Sequence, residues 1–426
     1  MELLIVFLVL FTLLLIKVPI FLSLMAATLV GSLLNNKIHL IEIVRSSITG
    51  IDSLVLFAAP LFVLSGKLIL HGGISERLIL WINYIFGFAK LRLTFVNVFG
   101  SMFFGGISGS ATADSAAIGS VLIPEMEKQN YPKNYSAAIT AASSSIGIIV
   151  PPSVPMILAG SVTSVSVMKL FVGGYGPGVL IALSLAITAY LLRPGKIKEE
   201  KIEYTPKNIF NSTYRALPAI IFPLIIMVGI LSGIFTATEA AAVAVFYAAA
   251  IALLIYRNMN SKMLMTSLIE SAQFTTIVFL IVSSAQAFAR YLTLIKFPQQ
   301  LSEYIFSITD DPILIKLIII LLLLFLGTFM ETVPIVIVLY PIIEPIAIAI
   351  NMDPIHYGLV FMTTIAIGML TPPYGILIFV NSKIAKINSK KLIKSLLPYI
   401  CVLIIDVLLI TFIPEIVLAP VNYFYN

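Results

Sequence analysis

Charge is scarce in this sequence. Of its 426 residues only 11% are Asp, Glu, Lys or Arg and 60% are apolar. A soluble domain needs roughly 25% charged residues to cover its surface. That shortage excludes a soluble enzyme, a nucleic-acid binder and a disordered chain. Cysteine occurs once, at Cys401 inside an apolar run, so no internal disulfide and no thiolate metal site can form; a packing role is expected for it. The three histidines, His39, His71 and His356, lie at the edges of apolar segments. No P-loop is present, which excludes direct ATP coupling within the chain.

Long apolar runs, each of about 15–25 residues, follow one another along the whole length, and each is long enough to cross a hydrocarbon core of about 30 Å as a helix. The longest hydrophilic stretch, Arg193 to Asn208, is too short to be a soluble domain. Met1-Glu2-Leu3 offers no basic n-region and no small-residue cleavage site follows Ile16, so a retained first helix is expected rather than a signal peptide. The fold class is an all-α polytopic membrane protein.

The segments fall into two similar series. In the first, Leu3–Ile16 and Val18–Leu34 form a pair, Leu54–Leu70 crosses, and amphipathic Glu76–Lys90 lies in the interface. A hairpin spans about 94–128, a broken helix 135–168, and Phe171–Leu192 closes the series. In the second, Ile209–Gly233 and Ala237–Tyr256 form a pair, Phe274–Leu294 crosses, and Phe297–Ser307 is interfacial. A hairpin spans about 313–350, a broken helix 354–383, and Leu396–Ile413 closes the series. Gly147 and Pro151-Pro152 map onto Gly368 and Pro372-Pro373 at an offset of 221, as do Gly106 and Pro124 onto Gly327 and Pro345. Residues 1–193 and 209–426 therefore read as two structural repeats joined by a cytoplasmic linker at 194–208.

With five crossings and one re-entrant hairpin per repeat, the odd number makes the repeats inverted. Of the 26 Lys and Arg, six (Lys37, Arg45, Lys169, Arg290, Lys296 and Lys316) then fall outside if the N-terminus is outside, leaving 20 on the cytoplasmic side, among them linker residues Arg193, Lys196, Lys198, Lys201 and Lys207. The net charge of +6 is thus a topology signal and calls for no acidic partner.

Four interruptions carry the chemistry: Gly105–Asp114, Ser143–Ser153, Gly327–Thr332 and Thr363–Pro373. Backbone that leaves the helix at membrane depth costs several kcal/mol per unsatisfied group, so it persists only inside protein or beside a wet cavity. There, free carbonyls suit a small cation and helix N-termini suit an anion. Ser108, Ser110, Thr112, Thr328, Thr332 and Thr371 add hydroxyl oxygens, which match a hard cation such as sodium. Asp114 and Glu331 lie in the hairpin tips, where a charge costs about 2.5–3.5 kcal/mol; a capping or hydrogen-bonding role is expected. Glu239 after Thr236-Ala237-Thr238 reads as a helix N-terminal acid. Asp406 has no evident partner in the sequence. Gly106-Ile107-Ser108-Gly109 also fits the serine motif of intramembrane proteases, a remote alternative that needs a histidine base opposite Ser108.

Several stretches together resemble the large membrane subunit, the DctM family, of tripartite ATP-independent periplasmic transporters. They are Pro60–Gly66, Gly105–Asp114, Ile148–Ser153, Gly233–Ala240 and Thr371–Gly375. The resemblance covers essentially the whole chain. It implies an elevator-type secondary transporter in the bacterial inner membrane, importing an organic acid such as a dicarboxylate or sialic acid with sodium as the co-transported ion. The implied partners are a periplasmic substrate-binding protein and a separate small four-helix membrane subunit, with membrane lipid around them.

Carried over position by position, the resemblance places one sodium at Ser108, Gly109 and Ser110 with Gly147 and Val150. It places another at Gly327 and Thr328 with Gly368 and Thr371. The carboxylate would sit between the tips near Thr112, Thr332, Ser153, Pro151, Pro152, Pro372 and Pro373. No arginine lies in either tip, so anion binding falls to N–H groups, hydroxyls and bound sodium. The alternative reading is a one-component sodium-carboxylate symporter of related fold.

Overall fold

The computed structural model describes residues 2–35, 39–195, 197, 199 and 204–425. Lys37, Lys196, Lys198 and Lys201, which entered the charge count, lie outside the described residues. Among the described residues the chain is all helix, with no strand.

The first half begins with α1 (Glu2–Leu15), α2 (Ile20–Leu34), α3 (Leu40–Ile51), α4 (Ala58–His71) and α5 (Ile74–Ile85). The axis turns by 70° between α4 and α5, at Gly72 and Gly73, and Gly73 takes a φ of +71° that a β-carbon disfavours. The amphipathic segment expected at 76–90 is thus an arm bent away from a crossing. Next come α6 (Arg92–Ser108) and α7 (Ala111–Lys128), the first hairpin, followed by α8 (Lys133–Ser144), a short 3₁₀ turn at Ser145–Ile148, α9 (Val154–Val162) and α10 (Val167–Leu191).

The second half runs α11 (Pro206–Leu231), α12 (Ala237–Ala250, continued by a π turn to Ile255), α13 (Ser261–Leu294) and α14 (Phe297–Ile308). The second hairpin is α15 (Pro312–Phe329) with α16 (Thr332–Ala349); α17 (Pro354–Gly368) and α18 (Ile376–Ala385) form the second broken helix, and α19 (Ser389–Phe412) and α20 (Glu415–Tyr425) finish the chain. Among the described residues seven of these helices are long and apolar enough to cross a membrane singly, or eight if the bent α4–α5 pair is counted as one span. Two helices were not anticipated from sequence: α3, whose polar face broke the apolar run, and α20, which follows Pro414.

The hairpins and broken helices form the centre. Every residue from Tyr135 to Ala159 and from Ile355 to Leu370 is buried, including Ser136, Thr140, Ser143, Ser144, Thr363 and Thr364. Helices this polar could not face lipid; protein surrounds them, and their hydroxyls donate to carbonyls one turn back, as in Thr140 to Ser136 O at 2.8 Å and Thr364 to Val360 O at 2.6 Å. Around this centre α4 packs on α12 and α13, α11 on α5, and α1 on α2. Lys67 Nζ and Glu270 meet at 2.6 Å between α4 and α13, beside a 2.8 Å contact of His71 Nδ1 with Ser267 Oγ.

Two expectations are corrected. Cys401 is exposed on the outer face of α19 rather than packed inside. Asp406 is buried and does have a partner, accepting the Ser184 hydroxyl from α10; the two residues are far apart in sequence, so no local pattern could pair them.

Candidate functional site

At the first hairpin tip α6 ends on Gly109, whose φ of +59° reverses the chain. Ser110 then caps α7, its hydroxyl accepting from Ala113 N at 3.4 Å and meeting Thr112 Oγ1 at 3.1 Å. The tip rests on the break between α8 and α9 with no side chain between them. A Cβ on Gly105 would stand 2.6 Å from Gly147 Cα, one on Gly106 2.9 Å from Pro151 O, and one on Gly109 3.1 Å from Pro152 O. The break is held by Ser153 Oγ donating to Ile148 O at 2.7 Å.

The second tip repeats this contact. A Cβ on Gly327 would lie 3.0 Å from Gly368 Cα and 3.2 Å from Ile365 O. Thr328 Oγ1 donates to Phe325 O at 2.7 Å and Thr371 Oγ1 to Ile367 O at 2.8 Å, so both hydroxyls keep their lone pairs for an incoming group. Thr332 Oγ1 instead lies 3.0 Å from Met369 Sδ. Both Pro-Pro pairs, 151–152 and 372–373, are joined by cis peptide bonds.

Each tip thus brings together most of the residues singled out for it in the sequence: Ser108, Gly109 and Ser110 with Gly147 and Pro151, and Gly327 and Thr328 with Gly368. Gly105 was missed as the contact residue of the first tip. The sequence register paired Gly106 with Gly327, whereas the residue making the corresponding contact is Gly105. Glu331 stands at the N-cap of α16, makes no side-chain cap bond and is exposed.

Asp114 is fully buried, and neither carboxylate oxygen has a hydrogen-bond partner among the described residues. Ser101 and Ser144 are its polar neighbours, but their protons are directed elsewhere. Ser144 donates to Thr140 O at 2.8 Å, and Ser101 meets Ser143 Oγ at 3.1 Å while Ser143 donates to Asn97 Oδ1 at 2.9 Å. The α7 cap is Ser110, and Asp114 accepts nothing. By contrast Glu239 forms a full capping box with Thr236.

Among the described residues Ser108 Oγ has only the Ser110 backbone as a partner, at 3.4 Å. His71 is engaged with Ser267 and His356 with Ile410 O, and His39 stands exposed at the N-cap of α3. Among the described residues no three His, Cys, Asp or Glu side chains converge. The donors at the tips are carbonyl and hydroxyl oxygens, which suit hard cations.

Two buried broken helices, each packed against a helical hairpin, sit at the heart of a polytopic all-helical protein. The fold is shared with the Alcanivorax borkumensis YdaH transporter (TM-score 0.60, 14% identity, 86% of this chain and 88% of that one) and with Neisseria gonorrhoeae MtrF (0.58, 13%, 87% and 83%). Within that class the chain belongs to the DctM component of the tripartite ATP-independent periplasmic transporters, whose family model matches residues 7–416. It is 34% identical to the Escherichia coli 2,3-diketo-L-gulonate large permease YiaN (89% of each chain). It is 35% identical to the Pseudomonas aeruginosa C4-dicarboxylate permease DctM (86% of each) and 34% identical to the Vibrio cholerae sialic acid permease SiaM (93% of each). The chain is a large permease subunit and a multi-pass protein of the inner membrane, in a family that works with a periplasmic binding protein and a small membrane subunit.

Proposed function

We propose that this permease imports an organic acid coupled to sodium, with one sodium held at each hairpin tip and the carboxylate between the tips. The observation that carries the reading is the paired backbone contact, Gly105 on Gly147 and Gly327 on Gly368. The close approach puts the carbonyls of Pro151 and Pro152 beside Gly106 and Gly109 at one tip and that of Ile365 beside Gly327 at the other. Burial of both broken helices supports the ion reading, since freed carbonyls away from lipid need a cation or water.

The two tips also support the reading of two inverted repeats, and the hairpins and broken helices would move together as an elevator against the outer helices. Carboxylates are the favoured cargo class because the named cargoes of YiaN, DctM and SiaM all carry a carboxylate. Substrate would arrive from a periplasmic binding protein, and a small four-helix subunit would pack on the outer helices.

The test is uptake of labelled dicarboxylates, sialic acid and sugar acids into proteoliposomes, with the chain alone and with its binding protein and small subunit. Uptake confined to the complete system and abolished without sodium is expected. Uptake by the chain alone would favour the one-component symporter, and uptake indifferent to sodium would remove the coupling.

A further inference from the structure

Away from the tips, a recess of about 400 Å³ opens between α3 and α13 on one side and the end of α9 and Pro341 of α16 on the other. It lies on the face that the lysine and arginine distribution assigns to the outside. Its wall is polar in a membrane protein where polar side chains are scarce. Ser46, Ser53 and Gln286 line it, and among the described residues no hydrogen bond engages their side chains. Thr49, Ser161 and Thr293 donate to carbonyls of their own helices, to Arg45 O at 3.0 Å, Leu158 O at 2.7 Å and Ala289 O at 2.8 Å. Those three therefore present lone pairs, which match a ligand that brings its own hydroxyl donors.

Arg290 supplies the positive charge. One guanidinium nitrogen reaches Glu42 at 3.3 Å, and both side chains are close to half exposed. A pair so exposed contributes about 0–1 kcal/mol, too little to withhold the remaining N–H groups from a carboxylate. A guanidinium holds a carboxylate by two parallel bonds.

We propose that this recess is a second ligand site, outside the midplane, for a small polyhydroxylated carboxylate: the carboxylate on Arg290 and the hydroxyls on Ser46, Ser53, Gln286 and the threonines. Its role, a resting place for cargo before it reaches the tips, rests on the import reading; its ligand chemistry rests on the wall alone. Because α3 and α13 belong to the outer helices and α9 and α16 to the central assembly, an occupant touches both.

Full-length protein in lipid nanodiscs, carrying Cys401→Ser and Ser53→Cys, is labelled with a maleimide in rising concentrations of gluconate, and sorbitol serves as the uncharged control. At about ten times its dissociation constant an occupant leaves about one site in eleven free, so labelling slows about tenfold. That slowing is expected with gluconate, absent with sorbitol, and lost on Arg290→Gln. Gluconate without effect, equal slowing by sorbitol, or slowing that survives Arg290→Gln each overturns the site. Ser46→Cys is a second reporter if Ser53→Cys folds poorly. Labelling requires no transport: protection without uptake in the complete system supports the recess while counting against the import reading, and uptake without protection does the reverse.

Discussion

Gly105 and Gly147 meet backbone to backbone, and the contact is unequal. A Cβ on Gly105 would lie 2.6 Å from Gly147 Cα, whereas one on Gly147 would find nothing closer than Ser110 O at 3.4 Å. The hairpin side of the junction has no room, and the broken-helix side has ordinary contact distance.

Gly105→Ala should therefore lower thermal stability by about 1–3 kcal/mol, the usual cost of forcing atoms into a packed core, and abolish uptake. Gly147→Ala should be far milder in a thermal melt of the purified protein. Equal effects from the two substitutions would contradict the geometry.

The hydroxyls at the tips lead to a sodium prediction. Ser110→Ala also removes the α7 cap, worth about 1 kcal/mol, so a stability loss is expected alongside any ion effect. Thr328→Ala removes the Oγ1 lone pairs together with the hydrogen bond to Phe325 O and the γ-methyl, but no helix cap. A sodium titration of uptake should shift about tenfold, equivalent to about 1.4 kcal/mol, for both variants. An unshifted titration for Thr328→Ala would remove it from the ion site.

Asp114 carries the opposite expectation for folding. Its carboxylate is buried with no donor among the described residues, and a buried charge without a partner is costly. Asp114→Asn should leave the melting temperature unchanged or raised while sodium-driven uptake falls. A lowered melting temperature would point to a purely structural carboxylate.

At the N-terminus of α6, linker residue Glu199 does what the cap residue cannot. Leu91, at the N-cap, has no side-chain acceptor, and the Glu199 carboxylate takes the N–H groups of Arg92 and Leu93 at 3.1 and 3.0 Å together with the Tyr131 hydroxyl. Glu199→Ala should cost about 1–2 kcal/mol and Glu199→Gln less, since an amide oxygen can still accept. Burial, then the Glu199 contact, pushes the Tyr131 phenol above its ordinary value. A raised phenol retains its proton in the folded state while the unfolded chain loses it. Its stabilising contribution is therefore complete below about pH 10 and declines above. Tyr131→Phe should flatten part of the alkaline loss of stability in a pH series of melts.

Much of the site was legible because its signals are local. Pro151-Pro152 and Pro372-Pro373 cannot continue a helix, Gly109 permits the reversal, and Thr236 to Glu239 spells a capping box within four residues. The α3 and α20 helices were not legible: short, mixed segments carry no apolar run, and packing on α13 and α10 holds them. The partner of Asp406 and the role of Glu199 also escaped, since both depend on residues far away in the chain.

Composition and periodicity by themselves determined that the chain lives in a membrane, that it is helical, and where its helices must break, because hydration and backbone hydrogen bonding act on each segment separately. Only the tertiary structure decided that Gly105 is the residue that meets Gly147, that Asp114 has no donor among the described residues, and that Arg290 joins the hydroxyls of α3 across a recess. Those outcomes depend on how closely two distant backbones can approach, a property of the packed assembly that no single segment encodes.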